Sequence, residues 1–177
     1  MQNEIRSIIK KQRLELSQET VKTKSAKVVK NLFSLDFLFD KQNYFIYKSF
    51  KNEVETATII NRLKELNKTI SYPITLGDYM VAGIPVGKET TTDKFGVVIP
   101  KNYTVIENVD VAFIPLVACD KNKNRIGFGK GYYDKFLQNK NCIKVGICYD
   151  FQVVESITPN ATDIPLDIIV TESKIIK

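Results

Sequence analysis

Apolar positions along this chain switch repeatedly between a helical period and short unbroken runs. Ile5, Ile8, Ile9 and Leu16 recur at helical spacing among Arg6, Lys10, Lys11 and Arg13, which predicts a helix over 4–16. Ser17 is a suitable N-cap for a second helix reaching about Leu32, whose apolar stripe is narrowed by Lys22, Lys24, Lys27 and Lys30. An aromatic and aliphatic knot over 36–40 is expected to pack these helices onto the core. Residues 44–47 read as a short buried strand and 48–53 as a polar turn. Val54, Ala57, Ile60, Leu63 and Leu66, spaced by three, read as the inner face of a helix, and 68–74 as a strand, completing a βαβ unit.

The run 109–118 is mostly apolar and β-branched and predicts one buried strand. A glycine-rich loop follows, then a helix over 131–139, a strand over 143–148 and a last strand over 168–171 after a loop marked by Pro159 and Pro165. Between 75 and 108 only strand-like pieces at 78–81 and 97–99 stand out, with turns at Gly83, Pro85, Gly87 and Pro100. That segment suggests an edge insertion or a hairpin covering a site. Alternating strands and helices predict a single α/β domain over 1–177, three layers deep, with a mainly parallel sheet flanked by helices. Such sheets bind ligands at the carboxyl ends of their strands, where the 48–53 turn and the glycine loop both fall.

That loop carries the densest chemistry. Gly127, Gly129 and Gly131 alternate between Arg125 and Lys130, with Phe128 inside and Tyr132, Tyr133 and Asp134 closing the stretch. Strand, glycine loop and helix bring backbone N–H groups and a helix N-terminus onto an anion. Arg125 and Lys130 add positive charge, and Asp134 is placed to hold a metal ion beside phosphates. The spacing is neither a Walker A loop nor the dinucleotide fingerprint. A tight connection using glycine only for positive φ is the competing reading. Arg, Lys and Asp together in one short loop favour the phosphate site.

Composition narrows the chemistry further. The 177 residues, 44% hydrophobic, suffice for one substantial core. No apolar run reaches the roughly 18 residues of a membrane span. The N-terminus lacks a secretory h-region, and Glu4 and Glu15 oppose a transit peptide. Cys119, Cys142 and Cys148 form no C-x-x-C pair and read as core thiols in a reducing compartment, so a cytoplasmic protein without membrane attachment is expected. Histidine is absent altogether, which removes Ser-His-Asp and Cys-His catalysis and every His-ligated zinc site. Acid–base work falls to carboxylates, Lys, Tyr or the substrate, and any metal is expected to be a hard, oxygen-bound ion such as Mg²⁺. A net charge of +6 and a pI near 9.1 imply anionic partners. Without an RGG tract, zinc knuckle or RNP motif, small polyanions are expected ahead of nucleic acid.

Four ordered segments then resemble the 5-formyltetrahydrofolate cyclo-ligase family over nearly the whole chain. Ile5-Arg6 followed by Lys10 and Arg13 is similar to its entry helix, and Tyr47–Thr56 to its Y-x-S…E-V-x-T segment. Pro115–Asp120 with Asn124–Asp134 is similar to its most diagnostic region. Gly146–Gln152 and the Pro159…Asp163…Asp167…Val170-Thr171-Glu172 series resemble its closing segments. Gln2 falls near a lysine that many members carry, Cys119 replaces a usual aromatic, and Thr162 stands where a histidine often lies.

The resemblance implies that ATP phosphorylates the formyl oxygen of 5-formyltetrahydrofolate, that N10 closes the ring, and that ADP and phosphate leave. It implies ATP and Mg²⁺ as cofactors, ATP and a reduced folate as small-molecule partners, and a monomer. Arg6, Arg125, Gly127, Phe128, Gly129, Lys130, Gly131, Tyr132 and Tyr133 would bind ATP, with Arg125 and Lys130 catalytic. Phe50, Glu53, Tyr132 and Tyr133 would face the folate, and Asp134 and Asp163 the metal. Arg125→Ala and Asp134→Ala are expected to be folded and inactive. A sugar-phosphate isomerase or CoA transferase, which would not need ATP, and an RNA-binding protein are the alternatives.

Overall fold

The computed structural model describes residues 2–177. Helix α1 (Gln2–Leu14) and helix α2 (Gln18–Phe33) open the chain. Ser17 caps α2 as its residue type predicts, its side chain accepting from the Thr20 N–H at 3.1 Å. Strand β1 (Asn43–Ile46), helix α3 (Ala57–Glu65) and strand β2 (Thr69–Leu76) form the βαβ unit. Then come β3 (Tyr79–Pro85), β4 (Thr90–Thr92), β5 (Val98–Pro100), β6 (Tyr103–Ile106) and β7 (Val111–Ile114). The chain finishes with β8 (Ala118–Cys119), β9 (Arg125–Ile126), α4 (Tyr132–Leu137), β10 (Ile143–Ile147), β11 (Ile168–Val170) and β12 (Ile175–Ile176).

Eight strands form one sheet in the order β12-β11-β10-β7-β1-β2-β3-β6. The five strands from β11 to β2 are parallel; β12 at one edge and β3 beside β2 run against them, and β6, antiparallel to β3, again follows their direction. Both faces of the central strands are apolar, as a covered parallel sheet requires. Tyr44, Ile46, Val111 and Phe113 point to the layer of α2 and α3, where Val28, Leu32, Ile59 and Leu63 are buried. The alternate residues Phe45, Ala112 and Ile114 pack against Phe136 and Leu137 of α4. No helix among the described residues is long and apolar enough to cross a membrane.

Several predicted boundaries shift for physical reasons. The third helix begins at Ala57 rather than near Val54, because Thr56 turns its hydroxyl back to the Tyr47 carbonyl at 2.8 Å. Ala57 is exposed and Ile59 takes its place inside. The predicted single strand over 109–118 breaks at Pro115. Its continuation, β8, leaves the main sheet to pair with β9 as a two-stranded ribbon. Residues 75–108 supply β3 and β6 to the sheet edge and a separate β4–β5 hairpin. Both alternatives foreseen for that segment are therefore present.

The β8–β9 ribbon carries the glycine loop, and Asp120 shapes its turn. This fully buried carboxylate accepts from the N–H groups of Asn122, Asn124 and Ile157 at 2.9–3.0 Å and from the Asn124 side-chain amide at 3.0 Å. On the outer side, Ile9 of α1 packs with Val117, Ala118, Ile126 and Ile157. Asp120→Ala would strand the buried Ile157 N–H and the part-buried N–H groups of Asn122 and Asn124, and a loss of roughly 2 kcal/mol or more is expected. Urea unfolding of Asp120→Ala beside Asp120→Asn, which keeps one acceptor oxygen, checks this: equal and small losses for both would refute it.

Candidate active site

A cleft of about 710 Å³ opens where β1, β2 and β7 end. Tyr47 and Phe50 line it after β1, Tyr72 and Thr75 from β2, and Pro115 after β7. Helix α1 forms one wall, contributing Arg6, Lys10 and Arg13. The β4–β5 hairpin and the start of α4 form the other. The 48–53 turn and the glycine loop therefore meet across one opening, as the strand-end argument predicts.

In the glycine loop, Gly129 and Gly131 have φ of +95° and +68°, where a side chain would be strained. A Cβ on Gly129 would meet Arg6 Cζ at 3.6 Å, an ordinary contact, so backbone conformation alone calls for glycine there. The Arg6 Nε donates to the Gly127 carbonyl at 2.9 Å, fastening α1 to the loop. Phe128 is 40% exposed, with Lys10 Nζ 5.2 Å and Arg13 Cζ 5.5 Å from its ring centre. Burial and the neighbouring Arg6, Arg13 and Lys51 charges depress the Lys10 pKa, so four cations converge here. Lys130 stands exposed at the rim. Helix α4 has six residues and no side-chain cap, so the loop's backbone and these cations carry more of the anion field than its dipole.

Arg125 sits behind the loop, nearly buried. Its Nη2 and Nη1 donate to Asp134 Oδ1 at 2.8 and 3.1 Å, and Nη1 also reaches the Ile164 carbonyl at 3.1 Å. The same Asp134 oxygen accepts the Ile164 N–H at 3.0 Å. Burial lowers the Arg125 pKa, and the nearby Asp134 and Asp163 oppose that shift. Removing Asp134 would leave the buried Arg125 charge unmatched, and removing Arg125 would free a part-buried carboxylate and the Ile164 carbonyl. The expectation that alanine at 125 or 134 leaves the fold intact is revised accordingly: both substitutions should destabilise it.

Asp163 lines the same cleft, its Oδ2 accepting the Asn160 N–H at 2.8 Å and the Asn160 side-chain amide at 3.2 Å. Among the described residues no group of three or more His, Cys, Asp or Glu could enclose a metal. Two carboxylates near a phosphate site nevertheless fit Mg²⁺, which takes one or two protein oxygens and completes its shell with phosphates and water.

The opposite wall is aromatic and acidic. The Phe50 N–H donates to Glu53 Oε2 at 2.9 Å, and Arg13 Nη1 lies 3.9 Å from Glu53 Oε1. Burial pushes the Glu53 carboxyl up to about 7, with Arg13 and the Phe50 N–H opposing it. Burial and the Glu53 charge raise the Tyr133 phenol well above its ordinary value, and the Tyr133 ring meets Phe45 edge-on. Tyr132 turns the other way. Its hydroxyl donates to the Gly77 carbonyl at 2.8 Å, Lys94 Nζ lies 2.7 Å from its oxygen, and Phe95 meets its ring edge-on. The hairpin tip also approaches Phe50, whose Cζ lies 3.5 Å from a Cβ built on Gly96.

All the predicted site residues thus border one cleft, divided between a basic glycine wall and a Phe50–Glu53–Tyr133 wall. Lys48, Lys94, Phe95 and Asn160 also line or frame it, and sequence reasoning gave them no role. Lys94 and Phe95 fall in the stretch without periodicity. Asn160 is signalled only by an Asn-x-x-Asp turn spacing. Gln2 donates to the Thr158 carbonyl at 2.9 Å, tying α1 to the 158–164 loop.

The fold and cleft define an α/β protein with a basic and aromatic cleft at the ends of its parallel strands. A family model described as the 5-formyltetrahydrofolate cyclo-ligase family matches residues 1–172. The 5-formyltetrahydrofolate cyclo-ligase of Haemophilus influenzae is 32% identical, over 94% of this chain and 96% of its own. The solution structure of the Aquifex aeolicus 5,10-methenyltetrahydrofolate synthetase superposes with a TM-score of 0.87 at 32% identity, over 98% of this chain and 91% of that one. The structure of the Mycoplasma pneumoniae 5,10-methenyltetrahydrofolate synthetase gives a TM-score of 0.76 at 27% identity, over 97% of this chain and 99% of that one. The chain belongs to the 5-formyltetrahydrofolate cyclo-ligase family, which makes it a ligase of folate metabolism.

The raised Glu53 carboxyl predicts a pH dependence of stability without ligand. A carboxyl whose folded pKa lies above its unfolded value favours folding fully below the unfolded value, and that contribution is lost as pH rises through the folded one. The Glu53-dependent part of the stability should therefore fall by a few kcal/mol between about pH 4.5 and 7. Glu53→Gln should flatten that slope, and urea midpoints across this range compare the two proteins. Parallel curves would disprove the assignment.

Proposed function

We propose that this cleft converts 5-formyltetrahydrofolate to 5,10-methenyltetrahydrofolate with consumption of ATP, the triphosphate lying on the glycine wall and the pterin on the Phe50–Glu53 wall. The observation that carries this reading is the meeting of both walls in a single cleft, with cations on one side and a buried carboxyl with aromatics on the other. Family membership supports the same substrate and product.

The chemistry suits a protein without histidine. The formyl oxygen of an N-formyl group is a poor leaving group, and phosphorylation turns it into one that departs as phosphate. N10 then bonds to the activated carbon, loses its proton, and the C–O bond to phosphate breaks. Positioning and charge stabilisation do most of this work. Arg6 braces the loop through the Gly127 carbonyl, and Gly129 and Gly131 free its backbone to curl around phosphates. Lys130 and Lys10 are the mobile charges for the transferred group. Arg125 fixes Asp134 from behind, which leaves the second Asp134 oxygen for a metal. Mg²⁺, when bound by Asp134 and Asp163, would neutralise phosphate charge. The β4–β5 hairpin, whose Val98 and Ile99 line the cleft, would limit the water that could otherwise take the phosphoryl group.

The absorbance rise of methenyltetrahydrofolate tests the reading directly. Purified protein with 5-formyltetrahydrofolate, ATP and Mg²⁺ should produce it, and omission of ATP or Mg²⁺ should abolish it. Lys130→Ala should lower turnover by roughly 10²-fold while leaving the unfolding midpoint unchanged, as expected for an exposed group acting on transition-state charge. A folded, metal-supplied protein giving no rise would sink the proposal.

A further inference from the structure

The guanidinium of Arg13 is the least satisfied group in the cleft. The residue is 4% exposed, and its buried Nε has no hydrogen-bond partner. Among the described residues its only charged neighbour within ion-pair range is Glu53, at 3.9 Å, beyond hydrogen-bond reach. Native proteins rarely leave such a donor unmatched unless something else completes it. The guanidinium is also held in place, with its carbon 5.5 Å from the centre of the Phe128 ring.

We propose that Arg13 determines specificity for the pterin, donating to the ring carbonyl while Glu53 accepts from the adjoining ring N–H and exocyclic amino group. This rests on the substrate reading above and adds a residue to it. The amide edge of a reduced pterin presents acceptor, donor, donor in sequence, and Arg13 beside Glu53 presents the complement. A phosphate or a carboxylate on Arg13 is disfavoured, because the Glu53 carboxyl group lies beside it; a neutral heterocycle carries no such penalty. Phosphates find Arg6, Lys10 and Lys130 on the glycine wall, and the charges that shift Lys10 are all cations.

The test exchanges the acceptor on the ligand. Calorimetric titration without ATP compares 5-formyltetrahydrofolate with its 4-amino-4-deoxy counterpart, in which the carbonyl oxygen becomes an amino donor. The unaltered protein should bind the 4-oxo ligand at least roughly tenfold more tightly, since a buried donor facing a donor goes unpaired. Arg13→Gln, whose amide can accept as well as donate, should shrink that ratio to about threefold or less while ATP affinity stays within about twofold. Arg13→Lys keeps the charge and the packing bulk and should give an intermediate ratio, which serves if the glutamine variant folds poorly. No preference in the unaltered protein, or an unchanged ratio in either folded variant, overturns the proposal. Lost ATP affinity with an unchanged ratio would instead assign Arg13 to phosphate. Absence of ATP-dependent turnover in the unaltered protein is the separate outcome that removes the substrate reading itself.

Discussion

The Arg125 guanidinium, taken out of water behind the glycine loop, must find acceptors there, and those it finds lie far along the chain. Asp134 is nine residues on and the Ile164 carbonyl thirty-nine. Matching one buried cation thereby locks the β8–β9 ribbon, the first turn of α4 and the loop before β11 into one junction. The glycine loop hangs between two of these fixed points, so its strained turns need no side-chain packing of their own. Arg6 grips it from the front. Loop curvature, the placement of Asp134 and the far rim of the cleft all depend on this burial.

The cost of such polar burial is visible on the opposite wall. Glu53 lies close enough to raise the pKa of both Tyr47 and Tyr133, and desolvation is the leading cause for all three groups. An apolar cluster of the same volume would fold more readily. The sheet's two apolar layers offset this, with Tyr44, Phe113 and Leu63 fully buried on one face and Phe45 and Ile114 on the other.

The fold was largely legible in the sequence wherever apolar periodicity and capping agreed. Ser17, the unbroken apolar runs at 44–46 and 111–114, and the glycine spacing at 127–131 each carry their own local signal. Legibility failed where long-range bonds decide the outcome. Nothing local says that Thr56 will bond Tyr47 and delay α3, or that 118–119 will desert the sheet for a ribbon partner. β12 has only two residues and takes its direction from β11. Asp120 reads like another member of the loop's charged set, and only its burial marks it as scaffolding. The site was readable as two motifs at strand ends. The hairpin residues Lys94 and Phe95 were not, because a Thr-rich exposed ribbon carries no periodic pattern.

The grip of Arg6 on Gly127 spans 121 positions of sequence, and Gln2 reaches Thr158 across 156. Contacts of such separation are the slowest to form in a folding chain. In a nascent polypeptide the C-terminal end of α1 can meet Asn52 early, through the Arg13 and Leu14 carbonyls, but its N-terminal end has no docking surface until much later. The helix can settle only after the ribbon and the loop near Ile164 have been translated. An unfinished chain thus lacks an assembled cleft until the loop near Ile164 has been made.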